Sequence, residues 1–408
     1  MRERVRDTNY IVFILLFYLL LFQAPLSNVI SVFGYIDELI AAIAIPFAIL
    51  QLKRNKLKIL KKKDGFLGFL IIFGIAGIWG SVRYNYQPIG SVAIPDLFLC
   101  IKFWLTIYTG KALFSGLNLE KNGRRVFFHV KVVTALFCAL AVIDNIAHIY
   151  TANIRYGLRS THLFYNSPTA FAAACAFLIA VLTIIQPYVS GTRKWFVLLL
   201  ILMCSSLRSK AFAAVAAFIL IYYFSFYRKK QVTLKTLLLF VPFILFMVSD
   251  QIEYYFFSDI QSDSARYQLL MTSISIARAS FPIGAGFGTF GSYMSAIHYS
   301  PVYRIYGISN VHGLREGATY FTSDSFWPMI LGETGMAGLI SIVLVIIRMI
   351  RRLQKVKNVN LALYASGLVC ISYLLIISMA ESAFVNPIAI PLAIVLGLVY
   401  GKGEYSTS

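Results

Sequence analysis

The chain has 408 residues, 59% of them hydrophobic and only 13% charged, and its mean hydropathy is +0.75. Soluble domains carry roughly a quarter charged residues, so this composition excludes an ordinary soluble protein and indicates a polytopic membrane protein. The net charge of +20 lies in short clusters between apolar stretches, an arrangement that argues against a nucleic-acid-binding surface.

Apolar segments follow one another near residues 9–26, 30–51, 65–82, 94–113, 126–149, 168–188, 195–207, 210–227, 233–249, 326–347, 360–380 and 387–400. Roughly 20 apolar residues cross a bilayer, which predicts an all-α protein of about 12 transmembrane helices; 195–207 and 387–400 are short for spans. With the N-terminus (Arg2, Arg4, Arg6) in the cytoplasm, alternation puts 26 Lys and Arg inside, 9 outside and 2 within spans. The basic balance is then mostly a positive-inside signal, with both termini cytoplasmic. The first span lacks a small-residue cleavage pattern and is followed by further spans, so it reads as retained. All five cysteines (100, 138, 175, 204 and 370) fall in apolar stretches and suggest neither a disulfide framework nor a metal site.

This topology divides the chain into a first membrane block, 1–249, an extracytoplasmic loop with short helices, 250–325, and a second membrane block with a short cytoplasmic tail, 326–408. ATP and sugar nucleotides are not available outside the cytoplasm. An enzyme working in that loop needs a donor that arrives activated, such as a lipid-linked pyrophosphate.

The outside cations are informative because orientation rules disfavour them there. In chain order they include Arg155 and Arg159, then Arg208 and Lys210 in a tight turn (Ser-Ser-Leu-Arg-Ser-Lys-Ala), then Arg266, Arg278, Arg304 and Arg315 in the loop. A guanidinium presents a planar fork of donors matched to phosphate oxygens. Snorkelling to head groups or pairing with loop acids is the alternative. Within spans, Asp37, Glu38, Asp96, Lys102, Lys131, Asp144 and Glu381 need partners or a polar groove.

Inside the loop, Asp263 or Ser264 is positioned to cap an amphipathic helix carrying Leu269, Leu270, Ile274 and Ala277, and Pro282 stops it. Gly284, Gly286 and Gly288 then permit either a sharp turn or close backbone approach to a ligand. Asp324, Glu316, Glu333, His298 and His312 are candidate bases for an acceptor hydroxyl. For Asp324 the competing role is a helix cap, and for Glu333, inside a span, a partner such as Arg266 is expected. The loop aromatics Tyr254–Phe257, Tyr293, Tyr299, Tyr303, Tyr306, Tyr320 and Phe321 suit sugar stacking or an interfacial belt.

Asp-Ser-Ala-Arg at 263–266, Phe-Pro-Ile-Gly-Ala-Gly-Phe-Gly-Thr-Phe at 281–290, Ser-Asp-Ser-Phe-Trp-Pro-Met-Ile-Leu-Gly-Glu-Thr-Gly at 323–335 and Leu-Arg-Ser-Lys-Ala at 207–211 together resemble the O-antigen polymerase and O-antigen ligase superfamily. The resemblance spans the topology of the chain, while its motifs cover only some 40 residues. It implies an inverting, metal-independent membrane glycosyltransferase without cofactor, acting in the bacterial cytoplasmic membrane on undecaprenyl-pyrophosphate-linked oligosaccharides as donor and acceptor. A flippase and a chain-length regulator are the implied protein partners. Carried over by motif, Arg208 and Arg266 would hold the pyrophosphate, with Lys210, Arg155, Arg159, Arg278, Gly284 and Gly286 around the substrate, and Glu333 would match the family glutamate. Ligases have His-Asn where this chain has Ser323-Asp324, which favours a polymerase and leaves the base unassigned. A flippase is the rival from another class, although the chain lacks two halves with corresponding Gly/Pro-interrupted spans.

Overall fold

The structure, a computed structural model, describes residues 2–54, 66–151, 153–228 and 264–405. Among these, strand is confined to one antiparallel pair, Ile154–Arg155 with Leu158–Arg159, and an isolated bridge between Arg315 and Ala318. Eight helices are long and apolar enough to cross a membrane, or nine if a bent N-terminal pair is one span. The protein is therefore an all-α, multi-pass membrane protein. Of the remaining segments expected to span, 195–207 is the thirteen-residue helix Thr192–Cys204, too short to cross alone. Segment 30–51 becomes a 3-10 turn, Ser31–Tyr35, and the helix Ile36–Arg54. Segment 233–249 and Tyr254–Phe257 lie outside the described residues.

The N-terminal pair, α1 (Arg2–Leu21) and α2 (Gln23–Val29), meets at a 65° bend. Pro25 explains it: its ring clashes with the carbonyl four residues back, that of Leu21, and it has no N–H to donate there. The Tyr165 hydroxyl donates to the freed Leu21 carbonyl at 2.8 Å. The bend thus brings Gln23 beside the loop that precedes α7 (Pro168–Ile185). That helix, apolar on every side, is 94% buried across its span and forms the centre of the bundle. Ser167 caps it, accepting from the Ala170 N–H at 3.1 Å, and Pro168 sits at the first helical turn. By contrast α6 (Leu119–Ala147) is 39% buried and carries a lipid-facing side.

Two further helices pack with almost no gap. In α5 (Ile94–Phe114) a Cβ on Gly110 would fall 2.6 Å from the Ile394 carbonyl oxygen of the C-terminal helix Ile390–Tyr405. Small residues allow this backbone approach, which supplies contact energy where lipid offers no hydrophobic drive.

The helix α13 (Phe326–Val356), counted after α8 (Thr192–Cys204), α9 (Ser209–Tyr222), α10 (Ala265–Ala279), α11 (Tyr293–Ile297) and α12 (Val302–Ile305), is broken at Gly335, where φ is 63° and ψ −162°. The turn Pro282–Gly286 inserts into the break. Ala285 N–H donates to the Gly332 carbonyl and Gly286 N–H to that of Glu333, both at 2.9 Å, while Ala337 N–H donates to the Pro282 carbonyl at 3.0 Å. A broken span is tolerated when neighbouring segments satisfy the freed backbone groups, as this turn does.

Residues 264–325 form a lobe at this end of the bundle. The predicted helix after Ser264 is α10, ending before Pro282, and it packs on α13. Leu269, Ile276, Phe290, Val302, Tyr303 and Leu314 give the lobe its own small core. Tyr303, considered above as a sugar platform, is fully buried: it accepts from Gly291 N–H at 2.9 Å and meets Ser295 Oγ at 2.8 Å. Tyr299 bonds the Leu314 carbonyl at 3.0 Å and is half-buried. Both are structural parts of the lobe, because a lobe this small needs large aromatic side chains to close a core. α14 (Leu361–Ser378) and α15 (Ile390–Tyr405) complete the bundle.

Candidate functional site

Five charged side chains meet where the lobe joins the bundle. Arg208 stands at the N-cap position of α9, held by a turn in which the buried Leu207 has φ +50°. A left-handed leucine costs about 1–2 kcal/mol, so the surroundings must fix this turn firmly. Part of that constraint is Thr161 N–H, which donates to the Ser205 carbonyl at 2.8 Å. Lys210, in the first turn of α9, is ion-paired with Glu381, just beyond the end of α14. Arg266, in the first turn of α10, pairs with Asp324 at 3.2 Å.

The two pairs belong to one cluster. Lys210 lies within electrostatic reach of both Arg208 and Arg266, and Asp324 within reach of Glu381 and Lys210. Ser382 Oγ donates to the Ser323 carbonyl at 2.7 Å, tying the Glu381 segment to the Asp324 segment. Among the described residues, three cations and two carboxylates meet here. Burial pushes the Asp324 carboxyl above the ordinary aspartate value, against the opposing pull of Arg266. Ser325, and not Asp324, occupies the N-cap position of α13, which leaves Asp324 to its arginine.

A cavity of about 310 Å³ adjoins the cluster, with Glu381 in its wall. Thr169 lines both this cavity and the cleft that holds Arg208 and Lys210. Further polar lining comes from Ser27, Tyr165 and Ser167, and from Gln23, Asn166 and Asn386, each of the last three beside a helix start. Glu381 was expected as a costly charge at a span end, needing a partner or lining a groove, and was not among the candidate bases. Its membership of the site depends on a partner 171 residues away, and the sequence signal was a lone acid after an apolar helix.

Other expected site residues lie elsewhere. Arg159 donates to the Tyr150 carbonyl at 2.8 Å and reaches Asp144 at 3.5 Å, so it braces the short hairpin. Arg155 is in the same hairpin. Arg278 is exposed in the last turn of α10, twelve residues from Arg266 and therefore about 18 Å along the helix. His312 is exposed beside Phe321, with ring centroids 5.9 Å apart. His298 is exposed, and Glu316 is exposed in an ion pair with Arg304. None of these shares a contact with the cluster among the described residues.

The glycine turn and Glu333 also differ from expectation. A Cβ on Gly284 would fall 2.3 Å from the Glu333 backbone and one on Gly286 2.5 Å from that of Ser81. The glycines thus serve the approach of the turn to α13 and α4 (Leu67–Tyr84), not to a ligand. The amides that follow are already occupied. Phe287 N–H donates to Ser81 Oγ at 3.0 Å, Gly288 N–H to Asp96 at 3.0 Å, and Thr289 and Phe290 N–H to Glu333 Oε1 at 3.0 and 3.1 Å. Glu333 is fully buried and hydrogen-bonded to Asp96; it does not pair with Arg266. Asp96, Cys100 and Glu333 bring ligand atoms within 4.8 Å of one another, the one such metal-capable group among the described residues. Three backbone donors already engage the two carboxyls, which makes the group a latch between lobe and bundle. No protein-family model matches the chain, and no curated protein matches it.

Proposed function

We propose that this protein is a polysaccharide repeat-unit polymerase that joins lipid-pyrophosphate-linked oligosaccharides on the outer face of a bacterial cytoplasmic membrane. The observation that carries the reading is the convergence of Arg208, Lys210 and Arg266 on one half-buried cluster, next to a cavity that Glu381 lines. Cations gathered at the N-termini of two helices suit an anion with several oxygens, such as a diphosphate.

The chemistry follows from that placement. When an acceptor hydroxyl attacks the anomeric carbon, the bond to the lipid pyrophosphate breaks and negative charge grows on the leaving group. Fixed guanidinium and ammonium groups in a partly dry site stabilise that charge more than water would. Cations preset by α9 and α10 need no reorganisation as the bond breaks.

Support for the outer face comes from the sequence. Arg193, Lys194, Arg348, Arg351 and Lys355 stand at the opposite ends of their helices from the cluster, as the positive-inside pattern requires.

The test is transfer by purified protein given lipid-linked repeat units. Wild type is expected to build a glycan ladder, and Arg208→Ala or Arg266→Ala to slow it by about 10²–10³ without changing folding in detergent. Unchanged ladders in both variants would refute the assignment. In cells, a polymerase defect leaves single repeat units, a flippase defect traps units inside, and a ligase defect leaves unattached polymer; the first is expected.

A further inference from the structure

Glu381 is the side chain shared by the cation cluster and the cavity. Among the described residues it is also the only charged group on the cavity wall. At about 310 Å³ the space is at the small end of ligand pockets, the size of a short stretch of sugar, whose apolar ring faces suit its apolar walls.

Its polar groups are fixed before any ligand arrives. Gln23 Nε2 is committed to Asp37 at 2.6 Å and to the Gly34 carbonyl at 3.0 Å, which leaves its carbonyl oxygen as an acceptor. Asn386 Oδ1 accepts from Ile388 N–H at 3.2 Å, which leaves its amide nitrogen as a donor. Paired acceptor and donor groups on a wall that is otherwise uncharged recognise hydroxyls.

The geometry points to this cavity as the site of the acceptor sugar and to Glu381 as the base that takes the proton of its attacking hydroxyl. This rests on the polymerase reading and assigns the base which that reading leaves open. In the step, the acceptor oxygen forms a bond to the donor anomeric carbon. The bond from that carbon to the pyrophosphate oxygen breaks, its electron pair leaving with the diphosphate, and the hydroxyl proton moves to the Glu381 carboxylate. Asp324, the other acid of the cluster, is held by Arg266 and does not line the cavity. Lys210 engages Oε1 of Glu381, and an arriving diphosphate competes for that ammonium, so donor binding also frees the base.

The experiment uses full-length protein in nanodiscs with a lipid-linked repeat unit as the probe. Glu381→Gln, nearly isosteric, is expected to keep donor Kd within about threefold while transfer falls at least about 100-fold, the scale of a lost general base. Glu381→Ala is expected to regain part of its rate with added formate and more with the more basic acetate, a dependence on carboxylate basicity that a counter-ion to Lys210 would not show. Transfer by Glu381→Gln within a few-fold of wild type, or no formate rescue, overturns the base assignment. A wild type that makes no ladder overturns the polymerase reading itself, so the two failures are distinct.

Discussion

Two charge networks in this protein use the same residue types and reach opposite outcomes. Between Ile36–Arg54 and α5, Lys102 pairs with Asp37 and, at 2.9 Å, with Glu38, while Gln23 adds a hydrogen bond to Asp37. The side chains of Lys102 and Asp37 are 2% and 0% exposed. That network has one cation for two acids, and its cation is sealed although Glu38 keeps 27% of its side-chain surface. At the lobe Lys210, Glu381, Arg266 and Asp324 keep 16–29% of theirs. What separates a structural ion cluster from a candidate binding site here is therefore access to the cation, not the presence of charge.

The contrast is breakable by mutation, and the largest effect should come from the closed network. Lys102→Ala leaves two carboxylates without their cation and is expected to cost about 3–5 kcal/mol, seen as loss of folded protein by size exclusion in detergent. A Lys102→Ala protein as stable as wild type would erase the distinction. Arg266→Ala should do the reverse, changing stability by no more than about 1 kcal/mol while transfer drops by about two orders of magnitude. The Asp96–Glu333 latch supplies a second closed case. Glu333→Ala uncovers two backbone N–H groups, a penalty of about 1–3 kcal/mol each, whereas Glu333→Gln keeps an acceptor and should melt closer to wild type. Equal melting temperatures for the two variants would mean that the latch carries no load.

The smallest effect sharpens the open cluster. Because burial raises the Asp324 carboxyl above the ordinary 3.8, it takes up a proton in less acidic solution than a free aspartate. Protonation removes one negative charge, so diphosphate affinity should increase as pH falls through the raised range of this carboxyl. Asp324→Asn should show the tighter binding already at neutral pH, by a few-fold, and should flatten the dependence. A titration of inorganic pyrophosphate binding against pH in both proteins would settle the sign.

Much of this was legible from residue order. Helical segments followed from apolar length alone, and Arg208 and Arg266 stood out because cations beside outer span ends need a reason to be there. Arg155 and Arg159 gave the same signal for a different cause, the bracing of a hairpin by Asp144 and a carbonyl, and nothing local separates the two cases. The glycines at 284 and 286 were expected to let a ligand approach the backbone, and instead let neighbouring helices do so; spacing does not distinguish the two. Glu381 and Gln23 were beyond reach because their roles depend on contacts with distant helices, and on a bend whose cause, Pro25, lies three residues past it.

The insertion of Pro282–Gly286 into α13 has a practical consequence for protein engineering. Excising residues 264–325 as a cassette, or exchanging them for those of another protein, would strip hydrogen-bond partners from Gly332, Glu333 and Ala337 and unravel a membrane helix from within. Chimeras should therefore carry the lobe and the first turns of α13 together, with crossover points beyond Ala337.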